Sequence, residues 1–202
     1  MPPRPPRPEN SAWLPASTAG LALLLLFAAW LSWRLVADDD GFLMILDSIN
    51  LAIHEFGHPF FAILGEEPGW WGGTLMQLLV PLGIAIVFWY QRSALSLAFA
   101  AIWFFENLFN IARYVADART QELPLVGGGE HDWAWILSQH GRLDEDLQIA
   151  STLEKIGWAG IAASVLFAIW VWWSQSADRV AERAEDERRV RETEARAQAG
   201  RY

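Results

Sequence analysis

The sequence has no cysteine. That absence excludes a disulfide framework, a thiolate metal site and a cysteine nucleophile. A basic patch is missing as well. The arginines of the C-terminal stretch are interleaved with acids, which leaves no phosphate-binding stripe and excludes nucleic acid as a partner. The formal net charge of -9 is unevenly placed and says little about partners. No internal repeat is visible. Arg4 and Arg7 precede the first apolar run, as in a secretory leader, yet no small-x-small cleavage site stands before Asp38. That run is expected to be an uncleaved anchor.

Long apolar runs dominate what is present. Hydrophobic residues make up 53% of the 202, and tryptophan takes 13 positions, a load that suits membrane interfaces. A bilayer core needs about 20 apolar residues in a helix. Five runs approach that length: Leu14 to Val36, Phe42 to Leu64, Thr74 to Tyr90, Ala94 to about Ala116 with a possible extension to Leu123 before Pro124, and Ile156 to Trp173. The chain therefore reads as all-α, a polytopic membrane protein of about five transmembrane helices, with the lipid bilayer as its first partner.

Residues 1–13 form a Pro- and Arg-rich tail that favours an extended, solvated conformation. Residues 14–173 form the membrane domain. Residues 174–202 form a charged tail without an apolar stripe, expected as a solvated helix or a disordered segment. The one long loop spans 118–155. Within it, Trp133, Ile136 and Leu137 share one side of a short amphipathic stretch. Leu143, Leu147, Ala150 and Leu153 recur at helical spacing in a second, and both are expected along the membrane surface. The positive-inside rule favours a cytoplasmic C-terminus, while the first helix argues the other way.

The second run contains His54-Glu55-Phe56-Gly57-His58, an HExxH sequence. Residues four apart share a helix face. His54 and His58 can therefore hold one Zn²⁺ through two ring nitrogens. Glu55, beside the first of them, is placed to act as a general base. Ionisable residues inside an apolar run are costly, which argues for a function rather than chance. Pro59 cannot donate to the carbonyl of Glu55, so the helix is expected to kink or open at the motif.

A metal needs a third protein ligand. In the fourth run, Asn107, Asn110, Tyr114 and Asp117 form one polar stripe. The motif lies in the half of its helix nearer the Gly65-Gly73 segment. Two crossings later the 118–155 loop returns on that same side, so Asp117 and His131 can approach the histidines. Asp117 is the first candidate for third ligand and His131, after three glycines, the second. Asp132 reads as a cap for the helix beginning at Trp133. His140, before Gly141 at a helix end, reads as solvated. Asp47 and Asn50 are candidates to orient an imidazole. Gly65 to Gly73 reads as a turn-rich interfacial loop, and Gln77 and Pro81 can face the same cavity.

An HExxH buried in a membrane helix, with a later helix supplying an aspartate, resembles the site-2 protease class of intramembrane zinc metallopeptidases. The resemblance implies that His54 and His58 hold zinc, that Glu55 is the catalytic base and that Asp117 completes the ligand set. It departs from the class where an Asn-Pro-x-x-Asp-Gly context is replaced by Tyr114-Val115-Ala116-Asp117-Ala118-Arg119. The CAAX-processing zinc proteases fit less well, since Arg113 stands where their downstream glutamate would be. The wider pattern of HExGH, GGxLMQ with VP, YxADAR and HDW also resembles a family of bacterial membrane proteins over about residues 42 to 150. That second resemblance implies a place in the bacterial inner membrane and does not supply an activity. The expected function is hydrolysis of peptide bonds in membrane-anchored protein substrates. The rivals are a metal-binding sensor or assembly factor without turnover, and a metal-free transport or structural protein.

Overall fold

The computed structural model describes residues 13–37, 43–126 and 129–199. The N-terminal tail as far as residue 12 lies outside them. Every regular element among the described residues is helical, as the composition predicts. In chain order these are α1 (Thr18–Ala37), α2 (Met44–Ala62), α3 (Glu66–Tyr90), α4 (Ala94–Ala116), α5 (Asp132–Gln139), α6 (Asp146–Ser174) and α7 (Ser176–Ala199).

Among the described residues, four segments are long and apolar enough to cross a membrane: Thr18–Ala37, Glu66–Tyr90, Ala94–Ala116 and Leu143–Ser174. This is consistent with a multi-pass membrane protein. The expected count was about five, with α2 among them. Its 19 residues would reach about 28 Å at the helical rise of 1.5 Å per residue. What it lacks is hydropathy, because Asp47, Asn50, His54, Glu55 and His58 interrupt its apolar sequence. Large apolar side chains face outward elsewhere; Leu23 and Leu26 of α1 are each 68% exposed. Such a surface suits an apolar surrounding.

The central helix is α4, which packs against α6, α3 and α1. Small residues permit the closest of these approaches. Gly157 and Gly160 of α6 lie against the rings of Phe109 and Phe105, where an added Cβ would overlap the aromatic atoms. Helix α2 packs against α3. There Gly57 and Gly72 meet backbone to backbone, and a Cβ on either would run into the other's carbonyl. The links from α2 to α4 are made by side chains. Asn50 donates to Glu106 Oε2 at 3.0 Å, and the indole of Trp103 donates to Asn50 Oδ1 at 2.8 Å.

Several boundaries differ from the sequence reading. The glycine-rich 65–73 segment is mostly helix, since α3 starts at Glu66. Pro68 falls in the first turn, where no intrahelical N–H is needed, and Glu66 and Glu67 suit the positive end of the helix dipole. The turn is confined to Ile63-Leu64-Gly65, with Gly65 at φ +133°. Helix α4 ends at Ala116 and does not continue to Leu123. Pro59 does not interrupt α2, which runs on to Ala62. Only three helical residues follow the proline, and the ring forfeits little beyond the bond to Glu55's carbonyl.

The first amphipathic stretch is α5, and Trp133, Ile136 and Leu137 are buried against Ile111 and Val115 of α4 rather than spread on a membrane surface. The second is not separate. It is the start of α6, led by a single 3-10 turn over Leu143–Glu145. The charged tail is helical as α7.

Candidate metal centre

The HExGH motif fills the part of α2 that lies against the start of α3. Gly57 lets the two backbones close together, and Gly73 leaves room for the imidazole of His54, which occupies the space a Cβ would take. The motif glycine and the glycines of α3 are thus one contact surface, and His54 is clamped in it.

Hydrogen bonds then fix both rings. His54 Nδ1 lies 2.9 Å from Gln77 Oε1. The amide nitrogen of Gln77 donates to Asn107 Oδ1 at 3.2 Å and Asn110 Oδ1 at 3.0 Å. Asn107 is held in turn by donating its own amide to the carbonyl of Trp103. The oxygen of Gln77 must therefore face His54, and the ring proton sits on Nδ1. His58 Nδ1 donates to the carbonyl of Gly69 at 2.9 Å. A carbonyl can only accept, so this tautomer is set as well. Both Nε2 atoms are left with their lone pairs.

Those two nitrogens converge on a third group. Asp132 Oδ2 lies 2.9 Å from His54 Nε2 and 3.2 Å from His58 Nε2. The three ligand atoms lie within 4.8 Å of one another, His54 and Asp132 are buried, and the group can hold a metal ion. Burial would raise the carboxyl of Asp132, but the hydrogen bonds it accepts from His54 and His58 when those rings carry a second proton, at Nε2, outweigh it and hold the group below the ordinary carboxylate range. Three electron-pair donors facing one point require a cation between them, either shared protons or a metal.

The other sequence candidates are placed differently. Asp117 is the C-cap of α4 and knots the chain after it. Its carboxylate accepts from Thr120 Oγ1 at 2.8 Å, the N–H of Glu122 at 2.8 Å and the N–H of Leu123 at 3.1 Å. Burial would raise this carboxyl; the hydrogen bonds outweigh it and lower it. His131 is the N-cap of α5, with Nδ1 accepting from the N–H of Ala134 at 3.2 Å and Nε2 3.4 Å from Asp117 Oδ2. So Asp117 and His131 meet each other, and Asp132 is what meets the histidines. The cap expected of Asp132 is made by His131, one residue earlier.

Asp47 and Asn50 orient no imidazole. Asp47 accepts from the N–H of Leu43 at 2.7 Å and faces Arg113 at 3.9 Å. Gln77 and the Gly69 carbonyl do the orienting. Pro81 is buried in α3. His140 is exposed, with Nδ1 bonded to the carbonyl of Ile136.

Beside the cluster lies a cavity of about 1000 Å³. His54, Glu55, Gln77 and Tyr114 line one part of it, and the 122–126 segment lines another. Glu55 is half-buried there and close enough to His58 and Tyr114 to act on both through its charge. The arrangement joins a three-ligand cluster, a carboxylate beside it and a space large enough for an extended peptide. No protein-family model, curated protein or solved structure matches the chain.

Proposed function

We propose that the protein is a membrane-embedded zinc metallopeptidase that hydrolyses peptide bonds of membrane-anchored substrates. The observation that carries this reading is the joint presentation of His54 Nε2, His58 Nε2 and the Asp132 carboxylate, with both Nδ1 atoms already occupied. Two imidazoles and a carboxylate form the ligand set of catalytic zinc sites that keep a fourth position open. When bound there, zinc supplies a Lewis acid that polarises a carbonyl and makes a water acidic.

The chain's own residues do the rest. Gln77 and the Gly69 carbonyl hold the imidazoles in the ligating tautomer. Glu55 faces the cavity and takes a proton from the attacking water at its carboxylate, then delivers it to the leaving amine. The cavity admits water and the substrate backbone to a depth where lipid would otherwise exclude both. A substrate helix must unwind locally to enter.

The test is a cleavage assay on single-span membrane substrates with the wild type and Glu55→Gln. The variant is expected to hold zinc at the wild-type level and to lose at least about 100-fold in rate, the scale of a lost general base. Cleavage at the wild-type rate by Glu55→Gln would remove the general-base role.

A second reading has one observation in its favour. The direct contacts of Asp132 with both imidazoles would by themselves tie α5 to α2 as an ion pair without metal. Metal content separates the two readings.

A further inference from the structure

Tyr114 lies in the last turn of α4. Its ring stacks on the imidazole of His131, with centroids 4.1 Å apart and planes at 30°. It also meets the ring of His54 nearly edge-on, at 5.8 Å. Its hydroxyl oxygen accepts the backbone N–H of Asp132 at 3.2 Å. That N–H belongs to the first turn of α5 and has no partner within its own helix. The His131 side chain is fully buried, bonded at Nδ1 and facing Asp117 at Nε2. Asp117 and His131 thus form a mount on which the phenol ring rests.

A phenol oxygen accepts through its lone pairs and has one proton to donate. The Asp132 N–H occupies the accepting side. No acceptor among the described residues takes the hydroxyl proton, and Tyr114 lines the same cavity as His54 and Glu55. Arg113, on the same stretch of α4, is turned toward Asp47 at 3.9 Å. Arg113 and Tyr114 both line the cavity, and Tyr114 is the one whose ring meets His54 of the cluster.

We propose that Tyr114 is a further catalytic residue, whose hydroxyl donates a hydrogen bond to the carbonyl oxygen of the bound peptide as negative charge develops there. The inference rests on the metallopeptidase reading. In the step it serves, the water oxygen bonds to the carbonyl carbon and the carbonyl π pair moves onto its oxygen, where Tyr114 holds it. One water proton passes through Glu55 to the amide nitrogen. The pair then returns, the C–N bond breaks, and the products are an amine and a carboxylic acid that loses its proton. A preorganised donor of this kind acts where charge appears and contributes little to binding the uncharged peptide.

The experiment compares zinc-loaded wild type with Tyr114→Phe, which keeps the ring and its stack on His131. The probes are the tightest binder from a panel of hydrophobic dipeptide phosphonates, tetrahedral and anionic at the reacting centre, and the matching uncharged dipeptide amide. The expected result is a loss of about 100-fold in phosphonate affinity, the scale of one removed oxyanion donor, with amide affinity and zinc per chain unchanged. Equal phosphonate affinity in the two proteins would overturn the role of Tyr114 and leave the metallopeptidase reading standing. Zinc loss from the Phe variant would overturn it differently, by making the hydroxyl a prop for Asp132. A zinc-free wild type, or one with no preference for phosphonate over amide, would overturn the metallopeptidase reading and the inference with it.

Discussion

A histidine offers a metal one nitrogen at a time, and the partner of the other nitrogen decides which. In α2 that decision is made from outside the motif, by Gln77 and by the carbonyl of Gly69. Gln77 is the more informative, because its own orientation is set by Asn107 and Asn110. Gln77→Leu keeps the volume and removes the acceptor. Its zinc affinity is expected to fall about 10- to 100-fold, the usual scale for a lost orienting partner, measured by competition against a chelator; an unchanged affinity would refute the orienting role. Asp132→Ala is expected to lose zinc, whereas Asp117→Ala keeps it, as elemental analysis of the two variants will show.

The sequence brought His54, Glu55 and His58 forward, since an HExxH in an apolar run is a strong local signal. It also expected residues of the 118–155 loop to reach the histidines, and Asp132 of that loop does. It did not choose Asp132 over its neighbours. His131 and Asp132 are adjacent, both suit a helix N-terminus, and spacing alone does not say which one caps. That depends on where α5 begins, and so on how Trp133, Ile136 and Leu137 pack against α4.

At the scale of elements, glycine among the described residues marks contact more often than flexibility. The Gly65 to Gly73 segment looks like a loop because glycine and proline usually punctuate structure. In α3 its glycines instead let α2 approach, a reason that no local pattern reveals. Gly57→Val would place its side chain in the Gly72 carbonyl, a backbone atom that cannot yield cheaply. That variant is expected to lower the melting temperature sharply or to prevent recovery of folded protein. Gly83 sits in the same helix with nothing within 4 Å of an added Cβ. Gly83→Ala is expected to be neutral or to stabilise by about 0.5–1 kcal/mol through helix propensity. If both variants melt like the wild type, close packing at the motif is not what holds α2.

The knot after α4 gives a pH prediction. The folded state lowers the carboxyl of Asp117, so its contribution is present above the ordinary aspartate value of about 3.9. It is lost as the pH falls through the lowered value. Asp117→Asn should be less stable at neutral pH, and its melting temperature should vary less between about pH 5 and pH 2. An unchanged acid profile would show that the knot does not stabilise the fold.

For the whole molecule, the polar groups gather where α2, α3, α4 and α5 meet, while apolar side chains cover much of the outer surface. The runs of hydropathy made the all-helical architecture legible. They also put α2 among five spans where four segments of the described residues qualify, because the residues that give α2 its chemistry remove the hydropathy by which a span is recognised. Helix α2 is therefore both the least apolar of the long bundle helices and the one that carries the motif. The charged α7, beyond Gln175, takes no part in the cluster.

The central claim is that His54, His58 and Asp132 hold a zinc ion. Its most direct test is zinc per chain by elemental analysis of detergent-purified protein never exposed to a chelator, beside His54→Ala and Asp132→Ala. About one zinc per wild-type chain is predicted, with none in either variant that still folds. A folded wild-type protein without bound metal would contradict the account and leave the three side chains as a structural ion pair joining α5 to α2.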